Sequence, residues 1–237
     1  MTHVLLDATF YSLLAALGLM LGAFMIVKGE GWLKAFLPLA ISFAAGTLLG
    51  VAFFDLLPEA QEMAAGANIF PWVLGSFIGF YFLENLLHYH SHHHVGHHHP
   101  MGLIAFLGMG FHSLIDGITI GVGFEVSRAL GLVTTLGLLA HQIPSGIAIT
   151  SILLHAGHPK RKAFTQAGLV ALATPVGAIA TSLLLRGVTE QTVGLLLAVA
   201  SGSFLYVAAS DLIPESHAAK HALTGVLLLA GVVVIWG

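Results

Sequence analysis

The sequence predicts an all-α integral membrane protein of eight transmembrane helices, with helices 1–3 and 6–8 forming an inverted repeat around a central pair, 4 and 5. Three observations predict it. The chain is 57% hydrophobic and 8% charged, with a mean hydropathy of +0.94, too few polar groups to cover a soluble domain of 237 residues. At roughly 20 apolar residues per crossing, its apolar runs divide into eight spans joined by short loops. One stretch, Ala45 to Glu59, recurs as Ser201 to Glu215, where the span count reverses its direction. The expected organisation is a single polytopic domain over residues 1–237, with a histidine-rich loop at about 88–100.

Each span is set by its apolar run and by what interrupts it. Span 1 covers about Val4 to Val27 and ends at Lys28-Gly29-Glu30-Gly31. The residues before it lack the basic start of a cleavable signal peptide, so it reads as a retained span. Span 2, about Leu33 to Leu57, stops at Pro58-Glu59, because proline cannot donate a helical amide. Span 3 runs from about Ile69 to Leu87 and meets the polar run His88 to His99. Spans 4 and 5 occupy about Gly102 to His155, divided near Glu125 to Arg128. The basic loop His158 to Lys162 precedes span 6, about Ala163 to Leu185. Span 7 is about Val193 to Ile213 and span 8 about Leu223 to Trp236. Gly46/Gly50, Gly75/Gly79 and Gly117/Gly121 are GxxxG pairs, suited to close helix packing.

The repeat aligns without a gap. Gly46 falls on Gly202, Asp55 on Asp211, Pro58 on Pro214 and Glu59 on Glu215. Similar sequence in opposite direction is a transporter device, giving inward- and outward-open states from one fold. Orientation follows from Lys and Arg. Lys28, Lys34, Lys160, Arg161, Lys162 and Lys220 fall on one side and only Arg128 and Arg186 on the other. The first side is therefore cytoplasmic and both termini lie outside it, in a multi-pass protein of the cell (plasma or inner) membrane.

The central pair carries the chemistry. His112 and Asp116 are four residues apart and share a helix face, as do His141 and Ser145. A buried His–Asp pair can simply pin packing, but at membrane depth ionisable groups are costly and mark a site or pathway. Imidazole with a carboxylate favours Zn²⁺ and its first-row neighbours over Ca²⁺ or Mg²⁺. Pro144 leaves the Ala140 carbonyl without its amide partner, and such a broken helix suits a cavity lining. Gln142 and Ser145 add neutral oxygens. Pro175, after Thr174, predicts a similar kink in span 6.

Other residues extend the path. His88, His90, His92, His93, His94, His97, His98 and His99 suit weak, exchangeable metal binding on the cytoplasmic side, which should weaken as pH falls through the ordinary histidine pKa of about 6.5. The bland alternative is a polar linker. Asp55 and Asp211 end spans 2 and 7 on opposite sides and fit either a pathway mouth or a carboxylate in interfacial water. Glu84 and His88, one turn apart, fit an inner exit site.

With these motifs the chain resembles the ZIP family (Zrt- and Irt-like proteins) of divalent-metal transporters, prokaryotic type. The resemblance rests on His112-Ser113-x-x-Asp116-Gly117, on His141-x-x-Pro144-x-Gly146, on the Ala45–Glu59 run with its partner in span 7, and on the histidine-rich loop. It implies eight helices with extracytoplasmic termini, a metal site between spans 4 and 5, and movement of metal into the cytoplasm. By matching position it places ligands at His112, Ser113, Asp116, His141, Gln142 and Ser145, and it implies a homodimer. Family members often carry acidic residues where this chain has Gln142 and Thr174, and Glu or His at Ser145. The expectation is therefore one ion on His112, Asp116 and His141, completed by Gln142, Ser145 or water.

The function expected is transport of Zn²⁺, with Cd²⁺, Fe²⁺, Mn²⁺, Co²⁺ and Ni²⁺ as further candidates, by alternating access. No resident cofactor is expected. Beyond metal ions and the lipid bilayer, no nucleotide or nucleic-acid partner is expected. An intramembrane metallohydrolase is disfavoured, since His141-Gln142-Ile143-Pro144-Ser145 lacks the glutamate and second histidine of His-Glu-x-x-His. A non-transporting metal sensor fits the histidine loop but leaves the repeat without a purpose.

Overall fold

A computed structural model describes residues 2–29, 33–64, 66–92, 99–185, 188–218 and 223–236, and among these helix is the only regular secondary structure. Eight helical rods follow the sequence. They are α1 (Thr2–Lys28), α2 (Leu33–Gly50, continuing through Val51–Leu56 and Leu57–Met63), α3 (Phe70–His92) and α4 (His99–Val126). The second half holds α5 (Arg128–His155), α6 (Lys160–Leu184), α7 (Glu190–Tyr206, continuing through Val207–Leu212 and Ile213–Ala218) and α8 (Thr224–Trp236). Among the described residues six stretches are long and apolar enough to cross a bilayer: His3–Lys28, Leu37–Met63, Phe106–Val126, Arg128–His155, Lys160–Leu184 and Glu190–Ser216. Phe70–Leu83 and Thr224–Trp236 are shorter apolar helices. Large apolar side chains such as Leu17, Phe82, Leu184 and Val233 face outward, as expected of a multi-pass membrane protein whose surroundings are lipid.

Three expectations need correction. Pro58 does not end α2. The rod widens into a π-helical segment at Val51–Leu56, where the Leu57 amide bonds the Ala52 carbonyl five residues back. This widening makes room for the proline ring, and the helix resumes to Met63. α7 does the same before Pro214, with Ile213 bonding Ala208. Asp55 and Asp211 therefore sit inside wide turns rather than at helix ends. Pro144 does not break α5 either, and Pro175 does not interrupt α6. Third, α3 continues five residues beyond Leu87, to His92.

Small residues set which helices touch. A Cβ at Gly22 would overlap the Ile143 carbonyl, and one at Gly146 the Leu19 carbonyl, so α1 lies directly on α5. A Cβ at Gly177 would overlap the Leu114 carbonyl and one at Gly117 the Thr174 carbonyl, so α6 lies on α4 in the same manner. Gly46 abuts Leu228 and Gly231 of α8, while Gly202 abuts Val73 and Ser76 of α3. The Ser76 hydroxyl also donates to the Val199 carbonyl at 2.7 Å. Gly75 and Gly79, by contrast, meet nothing within 4 Å, so of the three expected GxxxG pairs this one packs against no described helix.

Contacts at the rod ends sort them onto two sides. Arg128, the first residue of α5, lies 3.1 Å from Asp7 near the start of α1. Lys160, opening α6, donates to the Val27 carbonyl at the end of α1 at 3.0 Å. Ser127 caps α5, its hydroxyl accepting the Leu130 amide.

Candidate metal centre

α4 and α5 each bring one imidazole to a common carboxylate. The His112 Nε2 lies 3.5 Å from Asp116 Oδ2 on the same face of α4. His141 Nε2 approaches that oxygen from α5 at 3.3 Å, off the line a hydrogen bond needs, and neither His141 ring nitrogen has a hydrogen-bond partner. Ligand atoms of the three residues all lie within 4.8 Å of one another, and they are the group of three or more potential metal-binding side chains found among the described residues. The two rings meet edge-on, centroids 5.6 Å apart. Asp116 is 2% exposed and His141 1%, while His112 keeps partial access.

A buried imidazole with both nitrogens unbonded is costly. Here its Nε2 and that of His112 converge with Asp116 Oδ2, two imidazole nitrogens and one carboxylate oxygen, a donor set suited to a borderline dication such as Zn²⁺.

The neutral neighbours differ in what they do. The Gln142 Nε2 donates to Asp116 Oδ2 at 3.2 Å, and its Oε1 is buried without a partner. Ser113 Oγ, three residues before Asp116, is likewise buried and unpartnered. The Ser145 hydroxyl donates to the His141 carbonyl at 2.9 Å, so it steadies α5 beside Pro144. Thr174, on α6, is fully buried with an unpartnered hydroxyl, and its carbonyl forms the floor against Gly117.

The helix contacts reproduce one arrangement twice. His112 and Asp116 precede Gly117 by five residues and one, as His141 and Ser145 precede Gly146. Both glycines are points where a flanking helix touches the central pair. Sequence reasoning marked Gly117 as a packing glycine through its pair with Gly121 and missed that Gly146 plays the same part in the second motif. The identical spacing was the available signal.

The outlying candidates fall elsewhere. Asp55 is half-buried in the wide turn of α2, with Oδ2 unpartnered. It lines a cleft of about 260 Å³ with Glu59, Glu62, Ser127 and Leu130, at the start of α5. Glu59 and Glu62 were not foreseen, although their spacing from Asp55 sets all three on one helix face. Asp211 sits at the matching place in α7. Neither joins the His112–Asp116–His141 group. The backbones of Glu84, His88, His90 and His92 belong to α3 and that of His99 opens α4, but their side chains lie outside what the structure describes, as do His93, His94, His97 and His98 altogether.

The comparisons agree with the geometry. The chain matches the sequence model described as "ZIP Zinc transporter" over residues 2–102 and 90–237. It is 31% identical over 215 residues to the zinc transporter ZIP13 of Pongo abelii, covering 82% of this chain and 64% of that protein. It is 28% identical to the zinc transporter ZupT of Chlorobium luteolum, covering 96% of this chain and 95% of that one. With human zinc transporter ZIP4 it shares 39% identity over 110 residues, 16% of ZIP4's length. The chain thus spans less than two thirds of ZIP13 and a small part of ZIP4. A family match over nearly every residue and a full-length relative place the chain in the ZIP zinc transporter family, a family of transporters and not of enzymes.

Proposed function

We propose that this protein carries divalent transition-metal ions, zinc first, across a membrane into the cytoplasm by alternating access. One observation carries the reading: two imidazoles and a carboxylate from neighbouring helices converge within 4.8 Å in the buried centre of an apolar bundle. An ion there exchanges hydration for His112, Asp116 and His141, with Ser113, Ser145 or water completing the shell. A single carboxylate leaves a dication incompletely neutralised, which favours release. Cd²⁺, Fe²⁺, Mn²⁺, Co²⁺ and Ni²⁺ fit the same donors with different affinity.

All eight rods cross the membrane in this reading, and residues 1–237 act as one domain. The inverted repeat is supported by the matching wide turns before Pro58 and Pro214. The glycine contacts support it independently, α1 meeting α5 as α6 meets α4, and α2 meeting α8 as α7 meets α3. They also suggest two moving bodies, α1 with α4–α6 and α2–α3 with α7–α8. Lys28 and Lys160 share one side and Arg128 the other, in keeping with a cytoplasmic basic face and both termini outside. The histidine run 88–99 then receives the ion, Glu84 and His88 mark the exit, and Asp55 and Asp211 stand at the two mouths. A homodimer in the bilayer completes the proposal.

The test is metal uptake into sealed proteoliposomes, comparing the six metals. Saturable Zn²⁺ uptake, abolished by His112→Ala in a folded variant, is expected. A folded wild type that moves none of them would overturn the carrier and leave a metal sensor as the better reading.

A further inference from the structure

Gln142 is the one hydrogen-bond donor to Asp116 among the described residues, at 3.2 Å. Its orientation is dictated by charge: an amide oxygen turned towards a carboxylate would be repelled, so the NH₂ group must face Asp116 and the oxygen must face away. That oxygen is buried with no partner. The residue pays a polar penalty at one end to place a donor at the other. It cannot swing clear, because it is 1% exposed and its Cβ lies against Gly18 of α1, where an added methyl would sit 3.2 Å away.

A carrier that accumulates ions must return empty, and the empty return is the step in which Asp116 has no metal beside it. A carboxylate at membrane depth is costly unless a donor meets its charge. His141 Nε2, though 3.3 Å away, is not aligned to donate. We propose that Gln142 is a positioning residue for the empty return: its amide stands in for the metal on Asp116, so that the unloaded site can reorient. This rests on the carrier reading above and goes beyond it, since it assigns Gln142 to the unloaded protein rather than to the metal's ligand shell.

The two halves of a transport cycle can be measured apart. Net Zn²⁺ uptake into metal-free proteoliposomes requires the empty return. Exchange of labelled Zn²⁺ against internal unlabelled Zn²⁺ does not. Gln142→Met, close in volume and without a donor, should lose about tenfold or more in net uptake, the scale of one hydrogen bond to a buried charge, and should keep exchange within about twofold of wild type. Gln142→Glu preserves shape but puts an oxygen where the amide nitrogen stood, so while ionised it offers Asp116 no donor and should likewise lose net uptake. Parallel loss of net uptake and exchange would make Gln142 an ordinary ligand and overturn the proposal. So would net uptake left unchanged in both variants. Absence of exchange in the wild type would instead sink the carrier reading itself.

Discussion

Asp116 concentrates the electrostatic problem of the site in one side chain. Its Oδ2 meets His112, His141 and Gln142 at 3.2 to 3.5 Å, and it is the sole carboxylate in the group. Asp116→Asn removes the charge and keeps the shape. Zn²⁺ affinity, measured by calorimetric titration in detergent, should fall on the order of 100-fold, at least the loss seen when a metal ligand's supporting partner is removed. The metal-free variant should melt at the same temperature as wild type or higher, because a buried charge has been deleted while the amide keeps the shape. A lower melting temperature without metal would mean that Asp116 is chiefly a packing residue. His112, Asp116 and His141 were legible in the sequence for a simple reason, the expense of ionisable groups in apolar helices. What Ser145 does was not legible. Its spacing from His141 fits a ligand and an i−4 hydrogen bond equally well, and the structure shows its hydroxyl on the His141 carbonyl.

The helices were readable as apolar runs, to within a few residues at most ends, while their irregularities were not. Proline in a sequence announces a lost amide, but whether the helix stops, bends or widens depends on neighbours. At Pro58 and Pro214 it widens; at Pro144 and Pro175 it continues. Glycine spacing was similarly ambiguous, since Gly117/Gly121 and Gly75/Gly79 look alike in one dimension. One pair is pressed against α6 and the other meets nothing described within 4 Å. Gly117→Ala should therefore cost about 1–3 kcal/mol, the usual range for overpacking, and should weaken Zn²⁺ binding by shifting α4 against Thr174. Gly75→Ala should be neutral or slightly stabilising, because alanine loses less entropy in a helix. Thermal melting of the two variants side by side decides it. Equal destabilisation would show that Gly75 has a packing partner in the assembled protein.

At the scale of the whole molecule the repeat becomes a statement about motion. Its first trace was the match of Ala45–Glu59 with Ser201–Glu215, but the equivalence of α1 on α5 with α6 on α4 appeared only when glycine contacts could be compared in space. The shared His-x-x-x-x-Gly spacing of α4 and α5 is visible in the sequence, but not which helix each glycine meets, because contact through backbone atoms constrains little except the glycine itself. If α1 and α4–α6 move as one body against α2–α3 and α7–α8, residue pairs divide into two classes. Tyr11 and Phe124 stack within the first body at 5.4 Å, and Phe77 meets Tyr206 within the second at 5.3 Å. Phe80 and Phe111 face each other across the divide at 6.4 Å. The chain has no cysteine, so paired cysteines at these positions can be joined by a short bifunctional thiol reagent without background. Joining Phe80→Cys to Phe111→Cys should stop Zn²⁺ uptake in proteoliposomes, and reversal of the link should restore it. Joining either pair within a body should leave most of the uptake intact, since no relative movement is needed there. Uptake that survived the cross-body link would rule out rigid-body rocking at this boundary and place the gating movement within one bundle, around the wide turns of α2 and α7.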